Sequence, residues 1–127
     1  MAIPVELATP GANAPLVAGS GNVADGAAVA TLPGVAGKTT YITGFDITAA
    51  GATAAAVVLA AVAGLLAGAQ SFVYAAPAGA TVQGPTLSIR FPAPLPASAV
   101  NTAITVTLPA LGAGNTNAAV VAYGFQL

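Results

Sequence analysis

Cysteine, histidine and tryptophan are all missing from these 127 residues, and the first two absences each exclude chemistry. Without cysteine there is no disulfide and no thiolate metal site. Without histidine the usual general base, the usual zinc ligand and the usual near-neutral pH switch go together. Charge is almost missing too. Two basic and three acidic side chains make up 4% of the chain, against about 25% in an ordinary domain. With Lys38 and Arg90 as the only cations, the chain cannot build a basic face that displaces counterions from a nucleic acid, nor a polybasic membrane patch. We therefore expect no nucleic-acid partner.

What remains is apolar. Hydrophobic residues make up 57% of the chain, punctuated by 15 glycines and 10 prolines. Working surfaces usually carry about 25–35% charged residues, so much of this surface is expected to lie against partners. The alternative is that Thr, Asn, Ser and main-chain groups keep a small, Ala-smooth surface wet. The length fits one domain that buries roughly two thirds of its unfolded surface. Met1 to Gly11 shows no basic stretch ahead of an apolar one and is interrupted by Pro4 and Pro10, so no secretory pattern is read there.

Catalytic constellations do not assemble. Ser20, Ser71, Ser88 and Ser98 have no histidine to activate them, and the acids Glu6, Asp25 and Asp46 are too far apart in sequence to imply a pair. Gly19-Ser-Gly21-Asn-Val-Ala24 matches a loose dinucleotide-binding pattern, but no strand–helix–strand alternation surrounds it; a Gly-rich turn is the plainer reading. The expectation is a protein that is not an enzyme, with no catalytic, cofactor-binding or metal-binding residues.

Patterning indicates strands. Lys38 to Thr48 is dominated by β-branched and aromatic residues; strict alternation would put Tyr41, Thr43, Phe45 and Ile47 on one face, with Ile42, Gly44 and Asp46 on the other. Short strands are also predicted at 27–32, 70–75, 86–91, 102–108 and 120–127. Pro92, Pro94 and Pro96 make a stiff connection at an exposed edge or rim. The uncharged run Ala54 to Ala69 is long enough for a membrane helix, but it is only mildly apolar and has no flanking anchors. The adopted reading is a β-hairpin with Val57, Leu59 and Leu65 inward and Leu65 to Gly68 near the turn.

Together these elements predict an all-β fold: an antiparallel β-sandwich or jelly roll of about seven or eight short strands over residues 22–127. Residues 1–21, with Pro4, Pro10 and Pro15, read as an extended arm with little sheet of its own, anchored by Ile3, Val5, Leu7, Leu16 and Val17. Asp46 and Arg90 sit outward on predicted strands and are candidates to pair across the sheet or across a subunit boundary, with Lys38 able to join.

The stretches Gly21 to Pro33, Gly37-Lys-Thr-Thr-Tyr-Ile-Thr-Gly-Phe45, Leu95-Pro-Ala-Ser-Ala99, Asn101-Thr-Ala-Ile104 and Leu108 to Asn117 carry a family resemblance. They cover about half the chain, and the whole resembles small Ala/Gly/Thr-rich virion proteins of tailed bacteriophages. The resemblance implies a capsid decoration, or cement, protein. It would be a homotrimer made in the host cytoplasm, sitting on the outer capsid surface and bridging neighbouring subunits of the major capsid protein. Two alternatives stay open: a receptor- or glycan-binding module of a tail or fibre, with its site in loops 92–99 or 112–117, and a small membrane protein.

Overall fold

A computed structural model describes residues 15–79 and 81–127. The described residues form eight strands: β1 Leu16–Gly19, β2 Ala28–Leu32, β3 Thr40–Ala49, β4 Ala56–Ala63, β5 Gln70–Ala76, β6 Leu87–Pro96, β7 Ile104–Leu108 and β8 Ala118–Gln126. Two four-stranded sheets result, ordered β1-β8-β3-β6 and β2-β7-β4-β5. We call them sheets A and B.

The pairing has a simple logic. β1 pairs with β8, β2 with β7, β3 with β6 and β4 with β5, all antiparallel. That is one long hairpin folded at the β4–β5 turn and wrapped into two layers, which is a jelly roll. β4 to β5 is the one hairpin between neighbours in sequence, so Ala54 to Ala69 is hairpin and not helix. Among the described residues no helix is long and apolar enough to cross a membrane.

Between the layers lies a continuous core in which Leu32, Ile42, Phe45, Ile47, Val62, Ile104, Val106, Leu108 and Val120 are wholly buried. Its composition is lopsided. Ala28 and Ala30 on β2 face Ala118 and Ala122 on β8, small side chains that let the sheets close on each other. At the opposite side Phe45, Phe72 and Phe91 meet, with Phe45 and Phe72 edge to face at 5.3 Å. Tyr74 is buried beside them, and its hydroxyl finds a partner by donating to the Pro85 carbonyl at 2.8 Å.

Three sequence expectations need correcting. Alternation along β3 breaks at Thr43, where two residues oppose one on β8: Ile42 pairs with Gly124 and Gly44 with Tyr123. This bulge reverses the phase, so Thr40 and Ile42 point inward before it and Phe45 and Ile47 after it, which no strict period of two can show. On β4, Val57 and Leu59 point out rather than in, 73% and 56% exposed, while Ala60 and Val62 fill the core. Leu65 does point inward. Lastly, part of the stretch read as an arm is sheet. Leu16–Gly19 pairs with β8, Leu16 packing against the core and Val17 facing solvent at 64% exposure. Ile3, Val5 and Leu7 lie outside the described residues.

Pro92 to Pro96, read as a connection, is strand instead: β6 runs through the three prolines to Pro96 at a sheet edge, where missing N–H donors can face outward.

Equal truncations should separate the two faces of sheet B. Leu32→Ala is expected to cost about 2–5 kcal/mol in urea unfolding, and Leu59→Ala no more than about 0.5 kcal/mol. Comparable losses would place Leu59 in the core.

Candidate functional site

Three surfaces carry the polar and apolar features that could serve a function. The first is the outer face of sheet A, where the bulge on β3 sets the geometry. Past the bulge, Gly44, Asp46 and Thr48 face outward, with Ser88 and Arg90 of β6 on one side and Tyr123 of β8 on the other.

Arg90 binds Asp46 through both guanidinium arms, Nη1 to Oδ1 at 3.1 Å and Nη2 to Oδ2 at 3.2 Å. Ser88 donates to Oδ1 at 2.6 Å and the Tyr123 hydroxyl to Oδ2 at 2.8 Å. The guanidinium also lies 4.8 Å from the centre of the Tyr123 ring and donates to the main-chain oxygens of Phe45 and Ile89. Gly44 makes the room: a Cβ there would run into the Ile89 oxygen and meet Arg90 Cδ at 2.8 Å.

Four donors on one carboxylate have an electrostatic consequence. Hydrogen bonding from Arg90 first, then Ser88 and Tyr123, holds the Asp46 carboxyl at a pKa of about 2, against an ordinary 3.8. The same bonds push Arg90 and Tyr123 upward, both chiefly through Asp46. All three groups keep fixed protonation near neutrality, so the cluster holds sheet register and offers no acid or base. The predicted Asp46–Arg90 pair therefore forms across neighbouring strands of one sheet, and Lys38 stays out of it. The Lys38 main chain instead closes the β2–β3 connection, bonding Val35 and Asn101. Sequence reasoning missed Ser88 and Tyr123, although Ser88 stands two residues before Arg90 on the same strand face.

Next along this face Tyr41 and Phe125 stack at 5.1 Å with their planes 13° apart. With one ring face given to its neighbour here, and Arg90 over Tyr123, the aromatic rings of sheet A are largely engaged with the protein itself.

A second feature lies at the end of the sandwich where connections 20–27, 50–55, 77–86 and 109–117 meet. Val23 bridges to Ala118, Ala50 to Gln83 and Ala52 to Ala78. A cavity of about 180 Å³ opens between them, lined by Asn22, Thr48, Gln83 and Asn117 among others. Each carboxamide donates to the chain: Asn22 to the Thr116 carbonyl at 3.2 Å, Gln83 to the Ala49 carbonyl at 3.3 Å, Asn117 to Thr116 Oγ1 at 3.0 Å. Nearby Asn115 is fully buried, donating to the carbonyls of Ala50 and Asn117 while its Oδ1 has no protein partner. Asp25 occupies a turn here with φ of 51°, as its Asp-Gly sequence suggests.

The third surface is the outer face of sheet B. Alternation and register place Val57, Leu59, Ala61 and Ala63 of β4 beside Ser71, Val73 and Ala75 of β5, and beside Thr105 and Thr107 of β7, with Val29 and Thr31 of β2 beyond. Among the described residues, none that is charged lies on it. Val57, Leu59 and Val73 are each more than half exposed, so a contiguous apolar strip faces outward across two strands. Among the described residues, no group of three or more acidic side chains is gathered as a metal ion would need.

No protein-family model matches the chain, and comparison with curated proteins and with solved structures found no match.

The low pKa of Asp46 gives a signed pH dependence. The folded carboxyl holds its proton less tightly than the unfolded one, so the cluster stabilises the protein above about pH 4, and this contribution fades as pH falls towards about 2. Asp46→Asn should flatten the stability profile across that window in thermal unfolding. A variant that loses stability on acidification as steeply as the parent would show that other groups control it.

Proposed function

We propose that this chain is a structural virion protein that decorates and stabilises a bacteriophage head, bridging neighbouring capsid subunits as a homo-oligomer, with a trimer the form expected. The observation that carries this reading is the outer face of sheet B, free of charge among the described residues, with Val57, Leu59 and Val73 exposed in a strip. A soluble protein that keeps such a face in water meets a standing cost, and covering it releases apolar surface at about 25 cal/mol per Å². The family resemblance supplies the kind of partner.

The mechanism is mechanical. Interfaces with shell and sibling subunits need shape complementarity and a dry apolar centre, and an Ala- and Thr-rich sheet provides both without desolvating ions. The N-terminal segment adds a second point of attachment, so that several weak contacts combine by multivalency into tight binding. Neither nucleic acid nor membrane enters this scheme, and no reaction is catalysed.

A second reading draws on the carboxamide-lined cavity beside residues 112–117, which suits a neutral, hydroxyl-rich ligand. It would make the chain a receptor- or glycan-binding module of a tail or fibre. Location on a particle separates the two: density on the head favours the first, density at the tail tip together with glycan-array binding the second.

Charge placed on the outer face of sheet B should abolish attachment without unfolding the domain. Leu59→Lys and Val73→Lys are expected to keep the β-sheet circular-dichroism spectrum and to lower occupancy on heads by at least tenfold. Parental occupancy in both variants would rule out this face as the contact.

A further inference from the structure

At the Asn22 end of the sandwich, main-chain bonds lock the connections to one another. Asp25 donates to the Asn115 carbonyl at 3.0 Å, Ala50 to Asn117 at 2.9 Å, Gly51 to Val82 at 2.8 Å, Thr53 to Ala113 at 2.9 Å and Gly84 to Ala49 at 2.8 Å. Gly51 and Gly84 permit the approach: a Cβ at Gly51 would run into the Pro77 oxygen, and one at Gly84 would meet the Tyr74 hydroxyl at 2.8 Å. The fully buried Asn115 side chain holds two carbonyls as well, those of Ala50 and Asn117, although its own Oδ1 is left without a partner among the described residues. A buried acceptor without a donor is unfavourable, so this hub keeps the backbone in place against a local penalty. Ala50 and Asn117 both line the cavity of about 180 Å³. The cavity is therefore preformed, and a ligand entering it need not order its walls.

The lining is neutral and can both give and take hydrogen bonds. Asn22 and Gln83 each donate one N–H to a main-chain carbonyl, which fixes the nitrogen end of each carboxamide. Their oxygens and that of Asn117 accept nothing from the described residues, and each carboxamide keeps a second N–H. An acceptor and a donor at fixed separation on each side chain, with Thr48 beside them, match hydroxyl groups on neighbouring ring carbons. Alanine methyls, Ala119 among them, make up the rest of the lining and suit the C–H face of a ring.

Other ligand classes fit less well. An anion needs a cation, but Arg90 is bound to Asp46 and Lys38 lies in the β2–β3 connection. A hard metal ion calls for carboxylates, and a flat aromatic ligand for a ring to stack on; the described lining has neither. Sites for drug-sized ligands run to about 300–1,000 Å³, so this smaller one admits a single ring.

We propose that the cavity holds one neutral sugar ring, recognised through its hydroxyls by Asn22, Gln83 and Asn117. The inference deepens the second reading above and rests on it for the site, though not for the place on a particle. Thr48 and Ala119 set the cavity beside the outer face of sheet A, whereas the apolar strip lies on sheet B, so a sugar and a shell do not compete for one surface. With no aromatic platform and no charge, affinity for a single ring is expected to be roughly millimolar. Several copies on one particle would strengthen it by multivalency.

The full chain, isotope-labelled, is titrated with the methyl glycosides of glucose, galactose, mannose and N-acetylglucosamine, and separately with methyl glucuronide and with calcium chloride, while amide resonances are followed. At least one neutral glycoside should give saturable shifts centred on Asn22, Thr48, Gln83 and Ala119, with methyl glucuronide at least fivefold weaker. No saturable shift there with any of the four, or a response to calcium alone, would overturn the inference. Equal binding of the glucuronide would overturn the neutral-ligand assignment. Asn22→Ala combined with Gln83→Ala should weaken binding at least fivefold. Ala119→Leu fills the cavity and leaves every carboxamide in place; it should abolish the shifts while core amides such as Val106 keep theirs. Parental affinity in Ala119→Leu would overturn the proposal even where the double alanine variant loosens the loops. Sugar binding by a protein that sits on heads would sink the tail reading alone, while location at the tail tip with no sugar response would sink only this one.

Discussion

Everything in this fold hangs on how closely the two sheets can approach. At the β1–β2 side, alanines on β2 and β8 allow near contact, so short strands suffice to close the sandwich. At the β5–β6 side three phenylalanines, one each from β3, β5 and β6, meet instead. Close packing allows no void between the layers, so the aromatic rings fill this part of the core. On the same side β6 has no fully buried residue, and Phe72 and Phe91 are only partly covered.

Much of the architecture was legible in sequence, and the illegible parts have physical causes. Alternation in Thr86 to Phe91 and Thr102 to Leu108 located β6 and β7 because their outward residues are polar. The phase of β4 could not be read the same way, since Val57, Leu59, Ala60 and Val62 offer apolar side chains to both faces. An antiparallel sheet normally shows its wet side by polarity, and this one has an apolar outer strip. The bulge at Thr43 was hidden for another reason: Gly44 is required there by the approach of Arg90 from a distant strand, which no local pattern encodes. β1 was masked by Pro15 and Gly19, which punctuate a strand too short to show a period.

The candidate site divides similarly. The Asp46–Arg90 pair could be anticipated because charges are so scarce that each outward one invites a partner. Its reinforcement by Ser88 and Tyr123 depends on β8 lying beside β3, a contact between strands far apart in sequence. That same neighbour relation explains Gly124, whose place opposite the bulge leaves no space for a Cβ: it would run into the Tyr41 oxygen.

With its ions so few, the protein has an unusual problem of specificity. Most interfaces select partners through complementary charge patterns at the rim. Here the one salt bridge among the described residues is satisfied within sheet A, with the bidentate geometry, the ring of Tyr123 and two further donors all spent on register. In the proposed assembly the remaining means of discrimination would be the shape of an apolar face and the directional bonds of the β5 edge, which is unpaired among the described residues. An apolar face alone binds indiscriminately, because burial has no direction. A strand edge alone is equally permissive, because every backbone carries the same groups. Side by side on sheet B, the two would correct each other in the proposed assembly: the edge would fix the line along which a partner lies, and the adjoining side chains would decide which sequence fits there.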